Sequence, residues 1–104
     1  MMEVTQETRD HWRVVTVRGR VNSETADELE TALREAVEQG KVAVNLAEVS
    51  YVSSAGLRAL LEGARAAEGK SSEFIVCAAT AAVKRVFDIS GMQQIIKIQG
   101  NLPC

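Results

Sequence analysis

Polar and apolar positions alternate through the first twenty residues, and the β-branched and aromatic side chains fall on alternate places in EVTQETR and again in WRVVTVRG. Alternation of this kind predicts two half-buried strands, and the aspartate in Arg9-Asp10-His11 favours the turn between them, so the chain opens with a hairpin. The period then changes. Gly19 to Ser23 reads as a loop, after which Ala26, Leu29, Leu33, Ala36 and Val37 recur at helical spacing. Glu24, Asp27 and Glu28 put acids where the helix macrodipole favours them, and Gly40 is a stop signal, so this first helix should end near Gln39. From Lys41, KVAVNLAEV is a short apolar run between turn-prone residues, which predicts a buried central strand parallel to a neighbour.

That strand leads into Ser53 and Ser54, and from there Leu57, Leu60, Leu61 and Ala64 recur at intervals of three and four, the stripe of a second helix. EGKSS is a polar loop and EFIVCA another buried strand. Thr80 is placed to cap a third helix with Val83, Val86 and Phe87 inward, ended by Ser90-Gly91. Ile95 to Ile98 reads as a last edge strand, and the tail near 100–104 as frayed. Helices alternating with strands after a hairpin indicate an α/β domain with a mixed sheet and about three to four helices packed mainly on one face.

Composition narrows the functional classes. The 104 residues, 46% hydrophobic and 25% charged, suit one soluble domain spanning 1–104, without repeats or a linker. Twelve basic against 14 acidic residues leave a net charge of −2, with no excess suited to nucleic acid or an anionic membrane. No segment approaches the roughly 18 apolar residues of a membrane span, and MMEVTQETRD lacks the order of a signal peptide, so a cytoplasmic location is expected. Cys77 and Cys104 have no metal-ligand spacing; in a reducing compartment they are expected as free thiols, Cys77 in a buried strand and Cys104 at a loose end.

The chemistry concentrates at the break between strand and second helix. The first N–H groups of a helix lack intrahelical partners and carry the positive end of the macrodipole, so a hydroxyl or an anion is stabilised there. Serine is also among the best N-cap residues, which accounts for a serine in this place without any function. Gly56, one turn in, costs about 0.5–1 kcal/mol relative to alanine; either close packing or the approach of a partner's backbone would offset it. Arg58 is a solvated charge or a contact to a partner or phosphate. An enzyme is not expected: His11 is the only histidine, no nucleophile, base and acid are grouped, and G-x-S-x-G, Walker and dinucleotide patterns are absent. No metal or cofactor is implied.

YVSSAGLRALL resembles the segment that marks the anti-sigma factor antagonists of the STAS domain family, in its Ser-Ser-Ala-Gly-Leu form. GRVNSETADELETAL is similar to the family's loop and first helix, and AAVKRVFDISGM to its last helix and following turn. The family's other common form has aspartate where Ser53 stands and a second serine where Ala55 stands, and an acidic residue is frequent at the place of Asn22. The resemblance implies a STAS-like single domain in which Ser54, two residues before the glycine, is the phosphorylated serine. It implies contact with the partner through Asn22, Ser23, Ser53, Ser54, Gly56 and Arg58. The unphosphorylated form would bind an anti-sigma factor with serine kinase activity, of the histidine-kinase-like ATPase fold, and so release a sigma factor. That partner would bind the ATP and magnesium, and a serine phosphatase would reset the switch. The domain itself is expected as a monomer or weak dimer. Two other roles stand beside this one: a STAS subunit of a lipid or solute transport complex, in which the serine is only a cap, and a small-ligand or nucleotide-binding module.

Overall fold

Asp10 and His11 both take positive φ, 52° and 71°, the conformation that lets a two-residue turn match the twist of the strands it joins. Arg9 therefore pairs directly with Trp12, and β1 (Met2–Arg9) runs antiparallel to β2 (Trp12–Val21). The computed structural model describes residues 2–100.

Beyond the hairpin every strand is parallel to its predecessor: β2 to β3 (Val42–Val52), β3 to β4 (Phe74–Cys77), and β4 to β5 (Lys97–Gln99). The spatial order β1-β2-β3-β4-β5 is the order of the chain. Parallel connections are right-handed, and three such connections stepping in one direction must lay their helices on one face of the sheet. The helices α1 (Ala26–Glu38), α2 (Ser54–Gly69) and α3 (Ala81–Ser90) accordingly share one core with Val15, Val17, Val44, Leu46, Val49 and Val76. On the other face Val14, Ala43, Ile75 and Cys77 form a separate small cluster beside Trp12.

Several boundaries differ from expectation, each for a local reason. β2 continues through Gly19 to Val21, because Gly19 (φ 101°) accommodates an irregularity in the β2–β3 ladder rather than a loop. The connection to α1 is consequently short. β3 runs on to Val52, so strand gives way to helix at Ser53 itself. The buried side of α2 is Gly56, Ala59, Leu60, Gly63 and Ala67, with Leu57, Leu61 and Ala64 only half-buried on its flanks. Small residues form the inner line because the neighbours come close. A β-carbon on Gly63 would lie 3.0 Å from the Phe74 ring and 3.1 Å from Leu33.

Thr80 caps α3 as expected, accepting from Val83 N–H at 3.3 Å, and Gly91 ends it in the left-handed conformation. Val83 and Phe87 are buried, whereas Val86 is half-buried. A 3-10 turn at Met92–Gln94 then consumes residues expected to precede a strand, so Ile95 is 61% exposed, Ile96 is buried outside any strand, and β5 starts only at Lys97. Cys77 is buried in β4 as expected, but it is disulfide-bonded, which corrects the free thiol. The expected fraying of the tail, and Cys104, lie outside the described residues from 101 onward.

Candidate functional site

Val21 and Val52 are partners in the parallel β2–β3 ladder, so the residues that follow them leave the sheet side by side at its C-terminal edge. Ser53 N–H donates to Val21 C=O at 2.8 Å and fixes this neighbourhood. From one exit the chain enters α1 and from the other α2, so two helix N-termini meet at the same place.

At the first exit, Asn22 is half-buried, and its side chain shapes the turn. Its Oδ1 accepts from Glu24 N–H at 2.9 Å and Thr25 N–H at 3.2 Å, an arrangement in which asparagine satisfies the open donors ahead of a helix. Thr25, at the N-cap position, makes no side-chain cap of its own; its Oγ1 accepts from Asn22 N–H at 2.9 Å. Ser23 is exposed.

At the second exit the two serines divide the work. Ser53 is the N-cap of α2: its backbone is extended and its Oγ accepts from Gly56 N–H at 3.2 Å. Ser54 is the first helical residue and exposed, and its hydroxyl makes no hydrogen bond among the described residues. The cap that could account for a serine is therefore supplied by Ser53. Gly56, expected among the partner contacts, is instead buried: a β-carbon there would lie 2.7 Å from Val21 Cγ1 and 2.9 Å from Val52 Cγ1. Its lack of a side chain lets α2 settle onto the ends of β2 and β3 and so brings Ser54 to the rim.

A cleft of about 310 Å³ lies between the two helix starts, lined by Ser23, Ala26, Asp27, Glu30, Ser54, Ala55 and Arg58. Ser23, Ser54 and Arg58 were singled out by sequence and come together here. Asp27 and Glu30 were not. Asp27 had been legible only as a favourable acid in the first turn, and Glu30 carried no signal, since its place across from Ser54 is set by the packing of α1 against α2.

The charges are asymmetric. The first turn of α1 carries Asp27 and Glu28, whereas the first turn of α2 has no acidic side chain, so the positive end of that helix is left without a carboxylate of its own. Arg58 is one turn beyond Ser54 on the same side of α2, and it forms no ion pair among the described residues. Glu30 is partnered by Arg34 at 3.0 Å, which also reaches Glu62 of α2 at 3.6 Å. Arg20 sits over the Tyr51 ring at 4.6 Å just before the two exits. Among the described residues no group of three or more histidine, cysteine or acidic side chains is arranged to hold a metal ion, and no helix is long and apolar enough to cross a membrane. A larger groove of about 690 Å³, lined by Leu61, Arg65, Glu68, Ser72 and Ile95, contains neither serine of the pair.

A mixed sheet with all its crossover helices on one face and an exposed serine at the start of the second is the architecture at hand. The chain belongs to the STAS domain family: the family profile described as Mlab, STAS domain, matches residues 4–99. It is similar to a Bordetella bronchiseptica protein named as an anti-sigma factor antagonist, BtrV, with 33% identity over 96% of this chain and 88% of that protein. An anti-sigma-B factor antagonist of Staphylococcus epidermidis is 30% identical, with 88% of this chain and 86% of that protein covered. Among solved structures, an anti-sigma factor antagonist from Mycobacterium paratuberculosis superimposes with a TM-score of 0.84 at 27% identity, covering 98% of this chain and 88% of that one.

Proposed function

We propose that this chain is an anti-sigma factor antagonist, that its unphosphorylated form binds an anti-sigma factor with serine kinase activity, and that Ser54 is the residue the partner modifies. The observation that carries this is the division between the serines: Ser53 caps α2, and Ser54 stands exposed in the cleft with its hydroxyl uncommitted. The names of the relatives at 33% and 30% identity support the partner class.

In the modification the Ser54 oxygen bonds to the γ-phosphorus of ATP held with magnesium by the partner; ADP leaves, and the hydroxyl proton passes to a base of the partner. The new group carries a charge of about −1.5 to −2 at neutral pH. The uncompensated start of α2 and Arg58 favour it, while Asp27 and Glu30 across the cleft oppose it. A partner surface fitted to a neutral hydroxyl meets this charge as a desolvation and repulsion penalty, and the complex separates. A serine phosphatase restores binding. The domain acts in the cytoplasm by binding, with no catalytic role.

The test is incubation with candidate kinase-fold anti-sigma factors and ATP, followed by mass spectrometry of the peptide containing both serines. Phosphate on Ser54, and weaker partner binding once it is present, are expected. Phosphate on Ser53 alone overturns the residue assignment. No phosphate with any such partner, together with co-purification of a transporter ATPase, supports the transport-subunit role instead.

A further inference from the structure

The outer edge of β1 is eight residues long, and its hydrogen-bonding pattern can be read from its neighbours. Arg13 N–H donates across to Lys41 C=O at 2.8 Å on the β3 side, so the N–H groups of Trp12 and Val14 face β1. Their partners Arg9 and Glu7 direct N–H and C=O inward to β2. The same alternation turns the N–H and C=O groups of Val4, Gln6 and Thr8 outward, away from the sheet.

A row of outward donors and acceptors is a template for another strand. Natural edges are often protected by charge, and β1 does carry Glu3, Glu7 and Arg9, all exposed; within one copy Arg9 rests on Glu7 at 2.6 Å and Glu3 lies 3.7 Å from Arg18, so pairing across copies exchanges these exposed contacts for others. The arrangement of those charges, however, distinguishes between possible neighbours. Consider a second copy of β1 running antiparallel, with its own outward residues facing these. Pairing Gln6 with Gln6 of the second copy sets Val4 against Thr8, Thr5 against Glu7, and Glu3 against Arg9 at both ends. Shifting by two residues one way sets Glu3 against Glu7; shifting the other way sets Glu7 against Glu7. One register joins opposite charges and both adjacent registers oppose like charges.

Side chains on the helix-covered face do not obstruct that register. Val4 packs toward the core, and Gln6 is turned to α1, where its Nε2 donates to Ala32 C=O at 3.3 Å. We propose that β1 is a self-pairing edge: two copies of this chain join antiparallel about Gln6, extending the two sheets into one, with Glu3–Arg9 pairs selecting the register. An eight-residue strand edge covers less than the roughly 1,200 Å² of a standard interface, so the dimer is weak and reversible. The proposal stands apart from the assignment of Ser54.

Backbone amide exchange measured by NMR at about 0.01 mM and about 1 mM protein, alongside sedimentation equilibrium, tests it. Exchange at Val4, Gln6 and Thr8 should slow with concentration as the dimer forms, while Thr5, Glu7 and Arg9, already bonded to β2, should not change. Thr8→Pro removes an outward N–H at an edge, where proline is tolerated, and should weaken the dimer at least tenfold. Glu3→Arg should weaken it, and adding Arg9→Glu should restore it. A parent protein that stays monomeric at about 1 mM, or exchange at Val4, Gln6 and Thr8 that ignores concentration, overturns the proposal. A charge swap that fails to restore the dimer overturns the register.

Discussion

The position a β-carbon would take on Gly56 lies 2.7 Å from Cγ1 of Val21. Val21 closes β2 and Gly56 lies in the first turn of α2, so this contact sets how deeply the start of the helix sits against the sheet. Valine cannot swing aside easily, being stiff at χ1.

Gly56→Ala should destabilise the domain even though alanine is the better helix former. Overpacking typically costs about 1–3 kcal/mol, against a gain of about 0.5–1 kcal/mol in helix propensity. Gly69→Ala, at the far end of the same helix and with nothing within 4 Å of the added carbon, should be neutral or stabilising. Urea unfolding should therefore show a lower midpoint for Gly56→Ala and a midpoint at or above the parent's for Gly69→Ala; a stable Gly56→Ala protein would mean that the helix start is free to lift.

The serine pair gives a stability test independent of any partner. Ser53→Ala removes the oxygen that accepts from Gly56 N–H and should lower stability by about 1 kcal/mol. Ser54→Ala removes no hydrogen bond and should stay within about 0.5 kcal/mol of the parent. Thermal melts of both proteins check this, and an equal loss in the two would mean that the cap is shared.

Asn22 and Ser23 should likewise separate. Asn22→Ala gives up two backbone contacts ahead of α1 and should cost about 0.5–2 kcal/mol. Ser23→Arg, in an exposed position lining the cleft, should leave the thermal midpoint in place while reducing affinity for the anti-sigma factor. Affinity by calorimetry and midpoint by circular dichroism, taken together, decide it; unchanged affinity would remove Ser23 from the contact surface.

Leu60 is 1% exposed beneath α2. Leu60→Ala should cost about 2–5 kcal/mol through lost burial and the cavity left behind, a large part of a small domain's stability. Equilibrium unfolding in urea that matches the parent would show that the site had collapsed around the change.

What the sequence made legible was whatever depends on near neighbours. The hairpin about Asp10 and His11, the stripe of α1 and the cap by Thr80 were all read from local pattern. The leucine pattern places the face of α2 one step away from where it lies, because leucines mark burial by size, whereas Gly56, Ala59, Gly63 and Ala67 are buried by being small where β2, β3 and α1 come close. Asn22 looked like an exposed loop residue, since a side chain bonded to its own following backbone has no signature in hydropathy. Asp27 and Glu30 enter the cleft only when α1 and α2 lie together, and the apolar pattern places Ile95 in a strand because the 3-10 turn before it has no apolar period.

Because β2, β3 and β4 all point the same way, the Asp10-His11 turn, Gly40 and the connection 70–73 gather at the end of the sheet opposite Ser54. That end is the natural place for a fluorescent label, an affinity tag or a chain break. A probe attached through Asp10 or Ser71, both exposed and both already in the left-handed conformation, would report on complex formation from a distance without entering the cleft.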